Sequence, residues 1–224
     1  MTAGAFWISL LEIVGLNLVL SADNAVVIAL ATRALPRAAQ RRAMAFGIAG
    51  AVLLRIVLTI AAVEALKLPY LKLAGAALLL WIGAKLLVHD DADAADTPSA
   101  ATAWAAARTI VLADAMMSLD NVLALAAAAK GSIAALVAGL TLSIPVVVLA
   151  AAVLLRLMRR WPIVITVGAG VIGWVAGELA LADPLAAEWR RGSTGVVAWL
   201  LPAAGAVTVI ALGKALAARS AAAR

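Results

Sequence analysis

Cysteine is absent from the chain, and His89 is its single histidine. The first absence excludes disulfides, thiol catalysis and soft thiolate metal centres. The second excludes a His-rich zinc site. Charge is also scarce: 13% of residues are charged, against 66% hydrophobic, with a mean hydropathy of +1.10. Soluble domains are about half apolar and about a quarter charged. The composition is therefore that of an integral membrane protein. Aromatics reach only 4%, and no aromatic-basic platform exists to stack bases, so the net charge of +6 speaks of orientation and lipid, not nucleic acid. His-Glu-x-x-His and Gly-x-Ser-x-Gly patterns are missing too, which argues against an enzyme. No basic segment precedes the first apolar run, which reads as a retained span.

What is present is long apolar runs. A helix needs about 20 apolar residues to cross a bilayer. On that measure seven spans are expected, at 6–31, 43–66, 70–88, 102–129, 133–157, 162–181 and 195–216. The runs are continuous and not alternating, so the fold class is all-α and not a barrel. Pro36, Pro69, Pro98, Pro162 and Pro184 mark the boundaries. Twelve basic residues fall on one side: Arg33, Arg37, Arg41, Arg42, Lys85, Arg108, Arg156, Arg159, Arg160, Lys214, Arg219 and Arg224. Five fall on the other: Lys67, Lys72, Lys130, Arg190 and Arg191. The richer side is expected in the cytoplasm, with the N-terminus outside and the C-terminus inside.

Two of the spans carry acids. LNLVLSADNAVVIALA at 16–31 holds Asp23 and Asn24; LADAMMSLDNVLALAA at 112–127 holds Asp120 and Asn121. The Ser-x-Asp-Asn units begin at Ser21 and Ser118, an offset of 97. Gly75 to Leu86 (GAALLLWIGAKL) similarly resembles Gly168 to Leu179 (GAGVIGWVAGEL), Trp81 matching Trp174. Spans one to three thus match spans four to six. Three is odd, so the copies enter from opposite sides. This is the inverted repeat of many secondary transporters, with the site at the midplane. The domain plan is one transmembrane unit: repeat one at 6–88, an acidic linker at 89–101, repeat two at 102–182, and a seventh helix at 195–216.

A mid-membrane carboxylate costs about 2.5–3.5 kcal/mol on insertion scales. Repeated ones need a reason, and a bound cation supplies it. At the same offset Asn17 corresponds to Asp114. The expected metal ligands are Asp23, Asn24, Asp114, Asp120, Asn121 and Asn17, with Ser21, Ser118 and Met116 or Met117 as further donors. Residues seven apart share a helix face, so Asn17 aligns with Asn24 and Asp114 with Asn121, while Asp23 points about 100° away. A helix break at Asp-Asn is expected to gather all three. Oxygen donors without His or Cys suit magnesium, calcium or manganese, and a thioether tilts the set toward manganese.

SADNAVVIALATRALP (21–36) and MMSLDNVLALAAAAKG (116–131) resemble the TerC family of seven-span proteins, and within it the YjbE-like branch. So do LRIVLT (54–59), YLKLAGAALLLWIGAKLL (70–87) and SIP (143–145). The resemblance covers residues 6–183 and implies manganese efflux, with the acidic site residues mapping to Asp23, Asp114 and Asp120 beside Asn24 and Asn121. Asn17 stands where the second half has an acid, so the site is expected to be asymmetric.

The remaining polar residues have plainer readings. Mid-span Arg55 is expected to pair with a site Asp. Glu64, Lys85, Lys130 and Glu178 are read as snorkelling to headgroups, and Glu12 as lining a vestibule or facing the interface. HDDADAAD at 89–96 is read as a solvated linker. Trp7, Trp104, Trp161, Trp189 and Trp199 are interface anchors. Ala169, Gly173 and Gly177 form a close-packing stripe. Pro145 is expected to kink the fifth span, with Ser143 satisfying the freed backbone group.

The function expected is export of a divalent cation from a bacterial inner membrane by alternating access, manganese first, with calcium or magnesium as alternatives. The metal is cargo, and no organic cofactor is implied. Moving a divalent cation outward against 100 mV costs about 4.6 kcal/mol, so coupling to proton entry is expected. Lipid, a divalent cation and a proton are the partners; self-association is left open. The rivals are an amino-acid exporter, with Arg55 as the carboxylate's partner, and a membrane scaffold that aids metallation of other proteins.

Overall fold

The computed structural model describes residues 3–65, 70–88, 100–186 and 197–222. Among them the chain is helical throughout and contains no strand. The helices are α1 (Ala3–Leu20), α2 (Ala22–Thr32), α3 (Arg37–Ala65), α4 (Leu71–Val88), α5 (Ala100–Ala129), α6 (Ile133–Arg160), α7 (Ile163–Leu181) and α8 (Val197–Ala222). Five of these, α3, α4, α6, α7 and α8, are each long and apolar enough to cross a membrane. The other three form two bent stretches, each long and apolar enough to cross when taken as one span, which gives five to seven candidate spans. The α1 and α2 axes meet at 55° around Ser21, and α5 turns by 73° at Asp120. Both expected helix breaks are therefore present, each at its Asp-Asn unit.

Local chemistry sets the ends. Pro36 precedes α3 and Pro162 precedes α7, positions where a missing N–H costs nothing. Ser132 caps α6 by accepting from the Ala135 amide at 3.2 Å. Gly131 ahead of it has φ +80°, a conformation that glycine adopts without strain. Pro145 lies inside α6, which runs unbroken as helix past it. The Ser143 hydroxyl donates to the Gly139 carbonyl at 2.9 Å. It does not serve the Thr141 carbonyl that Pro145 frees, which corrects the expectation for that pair.

The direction of each span can be read from its contacts. Along α4 and α7, Leu73 meets Asp183, Gly75 meets Leu179 and Gly83 meets Ile172. One index rises while the other falls, so α4 and α7 are antiparallel. By the same test α7 and α8 are antiparallel, Gly170 facing Ile210 and Gly177 facing Leu201. Helices α4 and α8 run parallel, through Gly83 with Val209 and Gly213 with Leu87. Helices α3 and α5 do too, through Gly47 with Ile110 and Arg55 with Asp114. These four relations are those of seven spans alternating in direction.

The main core gathers Leu30, Leu79, Met117, Ile172 and Leu179 between α2, α4, α5 and α7. At the small-residue stripe the α7 and α8 backbones touch: a Cβ on Gly173 would strike the Gly205 carbonyl, and one on Gly177 would strike Leu201 and Pro202. Asp183 is 1% exposed. Its Oδ2 accepts from the Leu73 amide at 3.3 Å and its Oδ1 from the Leu185 amide at 3.0 Å. A carboxylate beyond the end of α7 thus serves an otherwise unpaired first-turn N–H of α4. Trp7, Trp104, Trp161 and Trp199, read as interface anchors, are exposed near helix ends. Trp189, the 89–96 linker and the Glu64 side chain lie outside the described residues.

Candidate functional site

The site is built where α1, α2, α3 and α5 converge. Arg55, one-third of the way from the end of α3, directs its guanidinium between the two bent spans. One Nη1 donates to Asn17 Oδ1 at 2.5 Å and to Ser21 Oγ at 3.1 Å. Its Nη2 pairs with Asp114 Oδ1 at 2.5 Å. Ser21 Oγ also donates to Asn17 Oδ1, and Ser118 Oγ to Asp114 Oδ2, both at 3.2 Å. Every member is buried, Asn17 and Arg55 at 4% exposure and Asp114 at 8%. A buried charge pair persists only where hydrogen bonds satisfy the remaining lone pairs and protons. Here the two serines and Asn17 do so for all but the Arg55 Nε. The expected pairing of Arg55 with a site Asp is observed, and Asp114 is the partner.

Beside this pair lies a small cavity of about 40 Å³, bounded by Asn17, Ser21, Asn24, Arg55 and Asp114, with apolar walls from Ile48, Ile110 and Ile144 among others. A water needs roughly 10–15 Å³ by this measure, so the space suits a few waters or a small ion. Two buried polar atoms of its lining residues have no hydrogen-bond partner, Asn24 Oδ1 and Arg55 Nε.

A second cavity, about 270 Å³, lies on the other side of the breaks. Asp23, Asn121, Met117 and Glu178 line it, with Val19, Leu20, Val175 and Leu179. Asp23 Oδ1 accepts from the Asn24 amide at 2.9 Å, within the first turn of α2. Glu178 Oε1 accepts from Trp174 Nε1 at 2.9 Å.

The expected ligands are thus divided. Asn17, Ser21, Asn24 and Asp114 share the first cavity, with Ser118 bonded to Asp114. Asp23, Asn121 and Met117 share the second. The break does not draw Asp23 in beside Asn17 and Asn24: the helical offset between adjacent residues survives the bend and sends Asp23 to the opposite face. Asp114 and Asn121 do not share a cavity, because the 73° turn falls between them. Among the described residues no three His, Cys, Asp or Glu side chains are grouped to hold a metal. The Asp120 side chain lies outside the described residues, though its backbone sits at the α5 bend. Met116 packs under Gly75 instead of reaching either cavity. As oxygen donors, the first-cavity groups fit a hard cation, and the cation held there is the chain's own guanidinium.

Sequence reasoning missed two residues. Glu178 was read only as snorkelling to headgroups; it is exposed, and it also lines the larger cavity. Its signal was its place one helical turn beyond Trp174 in the repeat that matches Trp81. Asp183 was given no role and proved to be the cap of α4; its position beside Pro184 was the only hint. Glu12 takes Lys130 as its partner, Nζ to Oε2 at 2.9 Å, with both side chains near half exposure.

Residues 2–221 match the family described as "Integral membrane protein TerC family". The chain belongs to the TerC family. It is 41% identical over 197 residues to an uncharacterized membrane protein, YjbE, of Bacillus subtilis, covering 88% of this chain and 89% of that one. It is 28% identical over 194 residues to a second uncharacterized membrane protein of that organism, YkoY, covering 78% of this chain and 60% of that one. No solved structure matches. As a TerC family member with several apolar helices, it is an integral multi-pass membrane protein.

Proposed function

We propose that this TerC family protein exports a divalent cation, manganese(II) first, across a bacterial inner membrane by alternating access. The carrying observation is the guanidinium of Arg55, held at the junction of both bent spans by Asn17, Ser21 and Asp114. An oxygen cage that accommodates a fixed cation is chemically prepared for a free one. The antiparallel course of α4 and α7, the third spans of the two repeats, supports an inverted repeat with its site between the halves. The exchange of partners supports it as well: span two of the first half packs on span one of the second, and α6 packs on α1 and α2. The charge bias of the connections supports an outer N-terminus.

The size of the first cavity favours an ion over an amino acid, which is larger than a few waters. The second cavity supplies a wetter approach past Asp23 and Glu178. Outward movement of a divalent cation against the membrane potential requires coupling, and proton entry through the same carboxylates is the simplest partner, because a protonated carboxyl binds metal poorly.

The test is flux from proteoliposomes loaded with manganese(II). Efflux should follow an imposed pH gradient, and Asp23→Asn and Asp120→Asn should each abolish it. Flux indifferent to the gradient removes proton coupling. Flux intact in both variants removes Asp23 and Asp120 from the path, and flux intact in Asp114→Asn removes the cage. Calorimetric titration with manganese, calcium and magnesium ranks the cargo.

A further inference from the structure

The two halves differ at one matched pair of positions in this cage: Asp114 in the second half corresponds to Asn17 in the first. The first half in turn supplies Arg55. The extra acid and the extra base bond to each other. We infer that Arg55 is the tethered counter-ion that lets the unloaded protein change sides: its guanidinium fills the oxygen cage when no cation is there and leaves when one arrives. This rests on the cation-export reading above.

A carrier must cross the membrane twice in each cycle, once loaded and once empty. Loaded, its site carboxylates are neutralised by cargo. Empty, any of them that has not taken up a coupling proton would be a bare charge at the least hydrated point of the bilayer. Arg55 removes that barrier for Asp114 without any ligand. It sits on α3, outside both bent spans, so it can move without rebuilding either of them. The α3 backbone is itself pinned against α5, where Gly47 and Gly50 face Ile110 and Val111. The exchange is therefore a side-chain event. Arg55 Nε and Asn24 Oδ1, buried and unpartnered, are the donor and acceptor left over in the filled state. Once the guanidinium leaves its place between Asn17, Ser21 and Asp114, these residues and Asn24 present their oxygens together to the cavity they bound.

Two assays in proteoliposomes separate the halves of the cycle. Counterflow, with manganese(II) on both sides, uses only the loaded protein. Net efflux into cation-free medium needs the empty return. Wild type should perform both. Arg55→Gln should keep counterflow within about twofold while net efflux falls by roughly 100-fold, the scale of leaving a mid-membrane carboxylate unpaired. Arg55→Lys should restore much of the net efflux. Full net efflux in Arg55→Gln, or equal loss in both assays by a variant that is folded, overturns the inference. If Arg55→Gln does not fold, the wild type decides. Solid-state NMR dipolar coupling between labelled arginine Nη and aspartate Cγ should be strong without metal and lost at saturating cadmium(II), a diamagnetic stand-in. Coupling that persists at saturation overturns it. If wild type moves manganese in neither assay, the export reading falls first and this inference with it.

Discussion

Asp114 can be neutralised without changing its shape, which isolates the worth of its charge. In Asp114→Asn the guanidinium of Arg55 keeps Asn17 and Ser21 as acceptors and gains an amide oxygen in place of the carboxylate. Removing one partner of a buried pair costs about 3–5 kcal/mol. The surviving hydrogen bond to a charged donor offsets about 1.5–3 kcal/mol of that. The expected destabilisation is therefore about 2 kcal/mol. Arg55→Leu leaves Asp114 with Ser118 alone and should cost about 3 kcal/mol, near the penalty for a lone intramembrane acid. The double replacement Arg55→Leu with Asp114→Leu should return to within about 1 kcal/mol of wild type, since an apolar pair of similar volume often substitutes for a buried ion pair. The assay is reversible unfolding in mixed micelles by SDS, with Asp114→Leu alone as the fourth corner of the double-mutant cycle. A coupling energy below about 0.5 kcal/mol would mean additive, independent sites and would refute the account of this pair.

Other expectations follow from the packing. Gly205→Val should lower folded yield and cost at least about 1–3 kcal/mol, because its Cβ would strike the Gly173 carbonyl where no side chain can yield; size-exclusion profile and melting temperature check it. Asp183→Ala should cost about 1 kcal/mol as a lost helix cap and raise hydrogen exchange at the Leu73 amide, leaving α8 unaffected. Lys130→Gln should change stability by less than about 1 kcal/mol, because the Glu12 pair is near half exposed; a larger shift would mean the pair is more buried in the bilayer than its accessibility says.

The spans were legible because each is a continuous apolar run, and hydropathy needs only one residue after another. Both breaks were legible from repetition: the same Ser-x-Asp-Asn in two matched runs marked Ser21 and Asp120 as special. The Arg55 pairing was legible in kind, since a charge at mid-span must find an opposite charge. The choice of Asp114 over Asp23 was not, because it depends on α3 lying parallel to α5, a relation between distant segments. The division of Asp23 from Asn17 and Asn24 was half legible. Helical spacing put Asp23 on another face, and the expectation that a break would cancel that offset gave the wrong grouping. The role of Asp183 was hidden because its partner is a backbone N–H more than a hundred residues away.

Helices α7 and α8 meet backbone on backbone at Gly173, Gly177 and Gly205, with no flexible side chain between. Helix α4 meets them through single side chains seated on glycines: Leu179 on Gly75, Val209 on Gly83 and its own Leu87 on Gly213. Such a block has no soft layer in which to slide. In any cycle that opens the site to one side and then the other, these three helices act as the stator, and the turning part is the four-span remainder that carries both bends. Labels placed across α7 and α8 should then keep one separation with and without metal, whereas labels across α2 and α7, one in each part, should not.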